Sequence, residues 1–301
     1  MPEPLIRTAT PDDAPAVVAL RALVYPYLVR GEASTRHMIA EPPAGEEWTA
    51  FVAEVDDQVV GWVSAYLNIR TSEPDFGEVS LLHVHPDHRR RGIGDALLAE
   101  ALRHLRPLGV RRVRTWALSD ALPFAHRHGF TPSRELRYSM LDLRPAPPMP
   151  TAPAGVRLLP FAELDPHRLY RAEIATAADE PGDVAADTIS YETWQHDVWH
   201  NLGLDKAAST AAELDGELVA FSVVKRDGDR MWSDFTGTLP GHRGRGLAGL
   251  AKRAALHRAA AGGVRIAYTS NDEANAPMLA INERLGYRPV AAQWSCLAEL
   301  T

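Results

Sequence analysis

Two stretches of the sequence set arginine among small residues in a spacing that could hold an anion. They are Arg89-Arg90-Arg91-Gly92-Ile93-Gly94-Asp95 and Arg243-Gly244-Arg245-Gly246-Leu247-Ala248. Small residues let a backbone approach a ligand closely and adopt positive φ without a Cβ clash. A helix that begins directly afterwards offers amides with no intrahelical acceptor, together with the positive end of its dipole. Arg90, Arg91, Arg243 and Arg245 add charge, and a guanidinium can grip two phosphate oxygens at once. The chemistry this allows is binding of a phosphate or diphosphate. It does not say whose.

The elements that must position these turns come in two sets. Pro86-x-His88-Arg89-x-x-Gly92-x-Gly94 recurs 154 positions later as Pro240-x-His242-Arg243-x-x-Gly246-x-Ala248. At the same offset Gly109-Val110 meets Gly263-Val264 and Thr115 meets Thr269; after a three-residue insertion, Gly129-Phe130-x-Pro132 meets Gly286-Tyr287-x-Pro289. A period this long means duplicated domains rather than a solenoid. Between the copies, Asp142–Gly155 holds five prolines and favours an extended spacer. The expected division is 1–142, a proline-rich linker 143–155, and 156–301.

Each copy mixes element types. Helical apolar spacing runs over 12–30 and 163–178. Strands are expected at 48–55 and 59–66 around Asp56-Asp57, and at 208–214 and 218–225 around Asp215-Gly216, a good hairpin signal. Next come strands at 78–84 and 231–238, the arginine–glycine turn, and a helix. Leu97, Leu98, Ala101, Leu102 and Leu105 line one face of the first such helix. Strands at 110–118 and 264–269, a short helix and a closing strand complete each copy. The expected class is α/β (α+β): two domains, each a mixed, mostly antiparallel twisted sheet flanked by helices.

Composition narrows the function. With 301 residues, 46% apolar and 24% charged, the chain can bury two cores. Its 32 basic against 39 acidic residues, net −7, argue against a nucleic-acid partner. Cys296 is the single cysteine, which excludes an intramolecular disulfide and a multi-cysteine metal site. No run reaches the ~18 apolar residues of a membrane span, and the first residues lack the pattern of a signal peptide. The expectation is a cytoplasmic protein with no membrane, nucleic-acid or metal partner. His83, His85 and His88 could suggest zinc, but no fourth ligand is in view.

For the turn itself, a P-loop fails because neither copy ends in Gly-Lys-Ser/Thr. Gly244-x-Gly246-x-x-Gly249 with Asp272 matches a dinucleotide fingerprint, making NAD(P) a rival. Yet Leu97 stands at the third glycine in the first copy, and each turn comes late in its domain. The shared element, Arg-x-x-Gly-x-Gly/Ala, resembles the acetyl-CoA loop of the GNAT superfamily of N-acetyltransferases. The resemblance extends to Ile6-Arg7-x-Ala9, Val59-Val60-Gly61-Trp62, Leu82-His83-Val84-His85-Pro86 and Gly129-Phe130, and in the second copy to Phe235-Thr236-Gly237-Thr238-Leu239-Pro240, Asn275 and Gly286-Tyr287.

What the resemblance implies is direct acetyl transfer from acetyl-CoA, without metal, to a primary amine of a small molecule or peptide. The cofactor positions it implies are Leu82, His83 and Val84, and then Arg89 to Asp95 (Arg89, Arg90, Arg91, Gly92, Ile93, Gly94, Asp95). In the second copy they are Phe235, Thr236, Gly237 and Thr238, then Arg243, Gly244, Arg245, Gly246, Leu247, Ala248 and Asn275. The family's usual acid, a tyrosine on the short helix, is replaced by Ala125 and Asn282. Asp234 is the candidate base, placed by alternation on one face with Thr236 and Thr238. Its counterpart is Ser80, with Glu78 two residues earlier on that face. Asp234 makes the second copy the expected working half of a monomer or homodimer. The missing tyrosines leave a non-catalytic acyl-CoA sensor as the alternative. Finally, Tyr191–His200 reads as an amphipathic cover over the core, or as a lid whose neighbours Asp179, Glu180 and Asp183 draw in a cationic amine.

Overall fold

The computed structural model describes residues 3–177, 181–187 and 189–300. They form two compact units: Met1–Leu136 with Ala292–Thr301, and Arg137–Ala291. These differ from the consecutive halves 1–142 and 156–301 that the sequence suggests.

The first unit contains β1 (Leu5–Thr8), α1 (Ala14–Val24), α2 (Glu32–Ala40), β2 (Thr49–Val55), β3 (Gln58–Leu67), β4 (Phe76–Val84), α3 (Ile93–Leu105), β5 (Arg112–Leu118) and α4 (Leu122–Arg127). The second contains β7 (Val156–Pro160), α5 (Pro166–Ala177), α6 (Tyr191–Trp194), β8 (Thr210–Leu214), β9 (Glu217–Asp227), β10 (Arg230–Thr238), α7 (Leu247–Ala261), β11 (Ile266–Asp272) and α8 (Ala276–Leu285). Two long strands, β6 (Thr131–Asp142) and β12 (Arg288–Glu299), are divided between the units.

The pairs β1–β2, β2–β3 and β3–β4, and likewise β7–β8, β8–β9 and β9–β10, are antiparallel. β4 runs parallel to β5, and β10 parallel to β11. The hairpins turn through Asp56 and Asp57 (φ 51° and 60°) and through Asp215 and Gly216 (φ 51° and 83°). Left-handed residues at both central positions match the twist of the flanking strands. Of the stripe read on α3, Leu97, Leu98, Ala101 and Leu105 are buried against the sheet and Leu102 is half-buried; Ile93 extends the buried face. The helical pattern at 12–30 instead ends at Val24, and α2 follows with few apolar positions.

The closing strand of the first unit comes from the end of the chain. Residues 293–299 of β12 pair antiparallel with β5, from Gln293↔Leu118 to Glu299↔Arg112, and Cys296 is fully buried there. The proline segment is not a free spacer either. Leu143 is 3% exposed in the core of the second unit, and its amide donates to the Arg265 carbonyl at 2.8 Å. Deleting residues 292–301 is therefore expected to expose the edge of β5 and strip slow amide exchange from the first unit while the second keeps its protected core, as hydrogen exchange followed by mass spectrometry would show.

Candidate functional site

The two arginine–glycine turns have one geometry. Arg90 and Gly92 have φ of 63° and 78°; Gly244 and Gly246 have φ of 73° and 76°. Alternating left-handed residues turn successive amides toward one concavity, the arrangement that binds anions. Gly92 and Gly246 are the N-caps of α3 and α7, and neither helix has a side-chain cap. The first-turn amides thus face the turn without an intrahelical acceptor. A Cβ on either glycine would meet nothing within 4 Å, so the space above the turn is open.

The leading arginine of each turn ties it to the strand before it. Arg89 Nε donates to the Val84 carbonyl at 3.2 Å and Arg243 Nε to the Thr238 carbonyl at 3.4 Å. Arg89 also lies 3.5 Å from Asp120. Arg90, Arg91 and Arg245 are exposed. The Asp95 side chain points the other way, to His128 Nε2 at 2.8 Å and Arg127 at 3.1 Å, so only its backbone faces the turn.

The strand before each turn leaves its parallel neighbour. Pairing of β4 with β5 reaches Val79↔Thr115, and that of β10 with β11 reaches Trp232↔Tyr268. The remaining residues, including Leu82–Val84 and Phe235–Thr238, lie beyond that ladder, with pairing on the β3 or β9 side. Leu82 and Val84 pack on the core of the first unit, and Phe235 stacks edge-on against Phe221 at 5.4 Å. A Cβ on Gly237 would strike Phe221 at 2.9 Å and Thr176 Oγ1 at 2.8 Å, so α5 packs too closely there for any side chain. His83 is turned inward, 8% exposed and 5.8 Å from the Tyr25 ring. Burial first, then Arg21 and Arg89, push its pKa down to about 3. Its imidazole is therefore buried and uncharged. Among the described residues no three His, Cys, Asp or Glu side chains converge.

A bulge changes the face of Asp234. On β10, Ser233 pairs with Val224 and Thr236 with Ser222, so three steps on one strand oppose two on the other. Val224 and Ser222 share a face, hence Ser233, Thr236 and Thr238 share the face of α7. The hydroxyls of Ser222 and Thr236 meet at 3.0 Å. Asp234 lies on the opposite face with Lys225, whose Nζ is 2.8 Å from Asp234 Oδ2. Strict alternation, which placed Asp234 beside Thr236 and Thr238, fails for want of that one extra residue. β4 carries the same bulge, between Ser80 and His83, with Leu81 at φ 56°. In the first unit Glu78 is 2% exposed and held by Arg114 Nε at 3.1 Å and Asn68 at 3.2 Å.

Asn275 is the N-cap of α8, its side chain accepting from the Met278 amide at 3.3 Å. At the position of the missing tyrosine, Ala125 and Asn282 are each 4% exposed. Asn282 Nδ2 donates to Asn271 Oδ1, but Asn282 Oδ1 is buried without a hydrogen-bond partner. Close by is a residue that reading the turns alone passed over. Lys252 on α7 is 1% exposed, its Nζ 5.2 Å from the centre of the Tyr287 ring. Comparison of the two copies would have found it, since Leu98 holds the matching place.

Tyr191–His200 covers the core as its spacing suggests. Trp194 is 1% exposed, stacks between Tyr191 and Trp199, and donates from Nε1 to Glu173 at 2.9 Å. Of the acids beside it, Asp179 and Glu180 lie outside the described residues. The third glycine of the dinucleotide fingerprint, Gly249, has only Ile281 within 4 Å of a Cβ, at 3.9 Å, so the close packing that would demand glycine is missing.

Comparison with known proteins agrees with the duplicated turn. The model of the acetyltransferase (GNAT) family matches residues 19–130 and 171–287. The chain is 31% identical over 291 residues to a mycothiol acetyltransferase of Thermobispora bispora, covering 92% of this chain and 93% of that one. It is 32% identical over 250 residues to the mycothiol acetyltransferase of Saccharomonospora viridis, covering 77% of each. In fold it is similar to a tandem GNAT protein from the clavulanic acid biosynthesis pathway, with a TM-score of 0.76, 23% identity and 99% of each chain covered. A GCN5-related N-acetyltransferase from Sphaerobacter thermophilus gives a TM-score of 0.73 at 20% identity, covering 100% of this chain and 97% of that one. No helix among the described residues is long and apolar enough to cross a membrane.

Proposed function

Because this chain belongs to the acetyltransferase (GNAT) family, we propose that it moves the acetyl group of acetyl-CoA onto a primary amine of a small molecule, with the second copy as the working half. The observation that carries this reading is the paired turn: two open, glycine-capped helix N-termini of one geometry, each following a strand whose last residues lie beyond its parallel ladder. The turn and the first amides of α7 would hold the diphosphate. The end of β10 at Phe235–Thr238 would offer main-chain groups to the pantetheine arm and the acetyl carbonyl. Asp234 would take the proton of the attacking amine from the α5 face of the sheet.

The relatives' name suggests the acceptor, an amine of the mycothiol series. For the first copy a second reading has its own support. It retains the turn, yet has Ser80 in place of Asp234, Ala125 in place of a proton donor, and Glu78 already engaged by Arg114 and Asn68. We propose that it holds acyl-CoA without turning it over.

A thermal-shift comparison tests the cofactor. Acetyl-CoA at 100 times its Kd should stabilise by about 2.7 kcal/mol, a rise in Tm of roughly 5–10 °C for a unit of this size. NAD(P) should produce none; a shift with NAD(P) alone would replace the acetyl-CoA reading by an oxidoreductase. Thiol release with a panel of amines, the unacetylated form of mycothiol among them, then separates an enzyme from a sensor.

A further inference from the structure

The two copies diverge most sharply in one buried place. Ser233, Lys252, Asn271, Asn282 and Tyr287 stand where the first copy has Val79, Leu98, Ala117, Ala125 and Phe130. The five first-copy residues sit together in one apolar cluster, none more than 4% exposed. Their polar replacements converge as well. Thr269 Oγ1 donates to the Ser233 carbonyl at 3.1 Å, the Tyr287 amide to the Asn282 carbonyl at 3.0 Å, and Asn282 Nδ2 to Asn271. Several of their polar atoms are left over. Asn282 Oδ1, Ser233 Oγ and Tyr287 Oη are buried without a partner of good geometry, and Lys252 has no carboxylate among the described residues. A core that worked as Val, Leu, Ala, Ala and Phe has taken on five polar groups whose hydrogen bonding is incomplete, which disfavours folding. Such a cluster is a functional device or a fault, and its position decides which. It lies on the α7 face of β10, where that strand leaves β11, and Asn282 occupies the place of the family's proton donor.

We propose that Lys252 is the proton source for the departing thiolate in the second copy. This rests on the reading of that copy as the working half. As the bond between acetyl carbon and sulfur breaks, its electron pair stays on sulfur. A proton passes from Lys252 Nζ to that sulfur, leaving a neutral lysine and a free thiol. Lys252 recovers a proton from solvent, to which Asp234 releases the one it took from the acceptor nitrogen, so charge and protons balance.

The surroundings favour this direction of transfer. Burial alone pushes the Lys252 ammonium down to about 7. A thiol titrates near ~8.5, so its thiolate holds a proton more strongly than this lysine does. Among the described residues the titratable group against Lys252 is Tyr287, between α8 and β12, whose own pKa burial raises. The other cluster members, Asn282 on α8, Ser233 on β10 and Thr269 and Asn271 on β11, carry no charge.

The test uses the full chain with Lys252→Met, and with Lys252→Leu to reproduce the first copy. With the fastest amine of the panel, kcat is expected to fall by about 10²–10³-fold while the KM for acetyl-CoA stays within about twofold. Wild-type kcat should decline above pH ~7 and the variant's should not. An acetyl thioester of a nitrothiophenol, whose thiolate needs no proton to leave, should restore most of the difference. Folding offers an independent readout. Lys252 lies below its ordinary value, so its burial weakens the fold most below pH 7 and least above pH ~10. The variants should therefore melt higher than wild type at pH 6.5 and level with it near pH 10.5. Unchanged kcat, or an equal loss with the activated thioester, would overturn the proposal. If Gly246→Asp ends turnover while Lys252→Met does not, Lys252 alone is refuted. If turnover survives Gly246→Asp but not Gly92→Asp, the reading of the second copy fails instead.

Discussion

Aspartate in place of Gly246 is expected to end acetyl-CoA turnover while leaving the protein folded. Gly246 has φ 76° and open space where a Cβ would stand. Aspartate is among the few side chains that tolerate this backbone region, so the turn should keep its shape. Its carboxylate would then lie in the concavity proposed for a diphosphate. Two like charges about 4 Å apart repel by roughly 4 kcal/mol at an effective dielectric near 20. That corresponds to about a thousandfold in affinity. Calorimetric titration with acetyl-CoA should show the second-copy site lost, with circular dichroism unchanged. Gly246→Ala separates charge from strain, because it adds only the steric cost of a left-handed alanine, about 1–2 kcal/mol. Equal affinity in the aspartate variant would mean that the diphosphate lies elsewhere.

The second large effect is expected at Asp234. Asparagine preserves its shape and an oxygen for Lys225, whose Nζ lies 2.8 Å away, but it cannot take a proton. Losing a general base lowers kcat by roughly 10²–10⁴-fold, with acetyl-CoA affinity unaltered because the side chain faces α5 rather than the α7 face of the turn. The remaining rate should rise with pH as the free amine becomes abundant. Asp234→Glu distinguishes base from ion-pair partner: it keeps a carboxylate for Lys225 but displaces it, so kcat should fall while thermal stability holds. Full activity in Asp234→Asn across the pH range would reduce Asp234 to a surface ion pair.

The turns were legible in the sequence because their geometry is local. Small residues at fixed offsets allow the positive φ values at Gly92, Gly244 and Gly246, and the helix stripe from Leu97 to Leu105 follows from spacing alone. The face of Asp234 was not legible, since a single inserted residue reverses alternation and nothing in Ser-Asp-Phe-Thr announces it. α2 escaped notice because Glu32–Ala40 has little apolar patterning. Strand partnership was hidden for a different reason: the pattern of β12 marks a half-buried strand without saying which neighbour it joins. Lys252 was hidden in plain view, its meaning visible only when Leu98 is set beside it.

The late arrival of β12 reaches beyond the finished molecule. A ribosome that has completed Leu136 must still make Arg137–Ala291 before the strand that closes the first unit exists. At 5–20 residues per second that delay is roughly 10–30 s. For that interval the nascent first unit presents an open β5 edge, which a holdase or a neighbouring nascent chain can reach. Cloning the two halves as separate genes would make the interruption permanent.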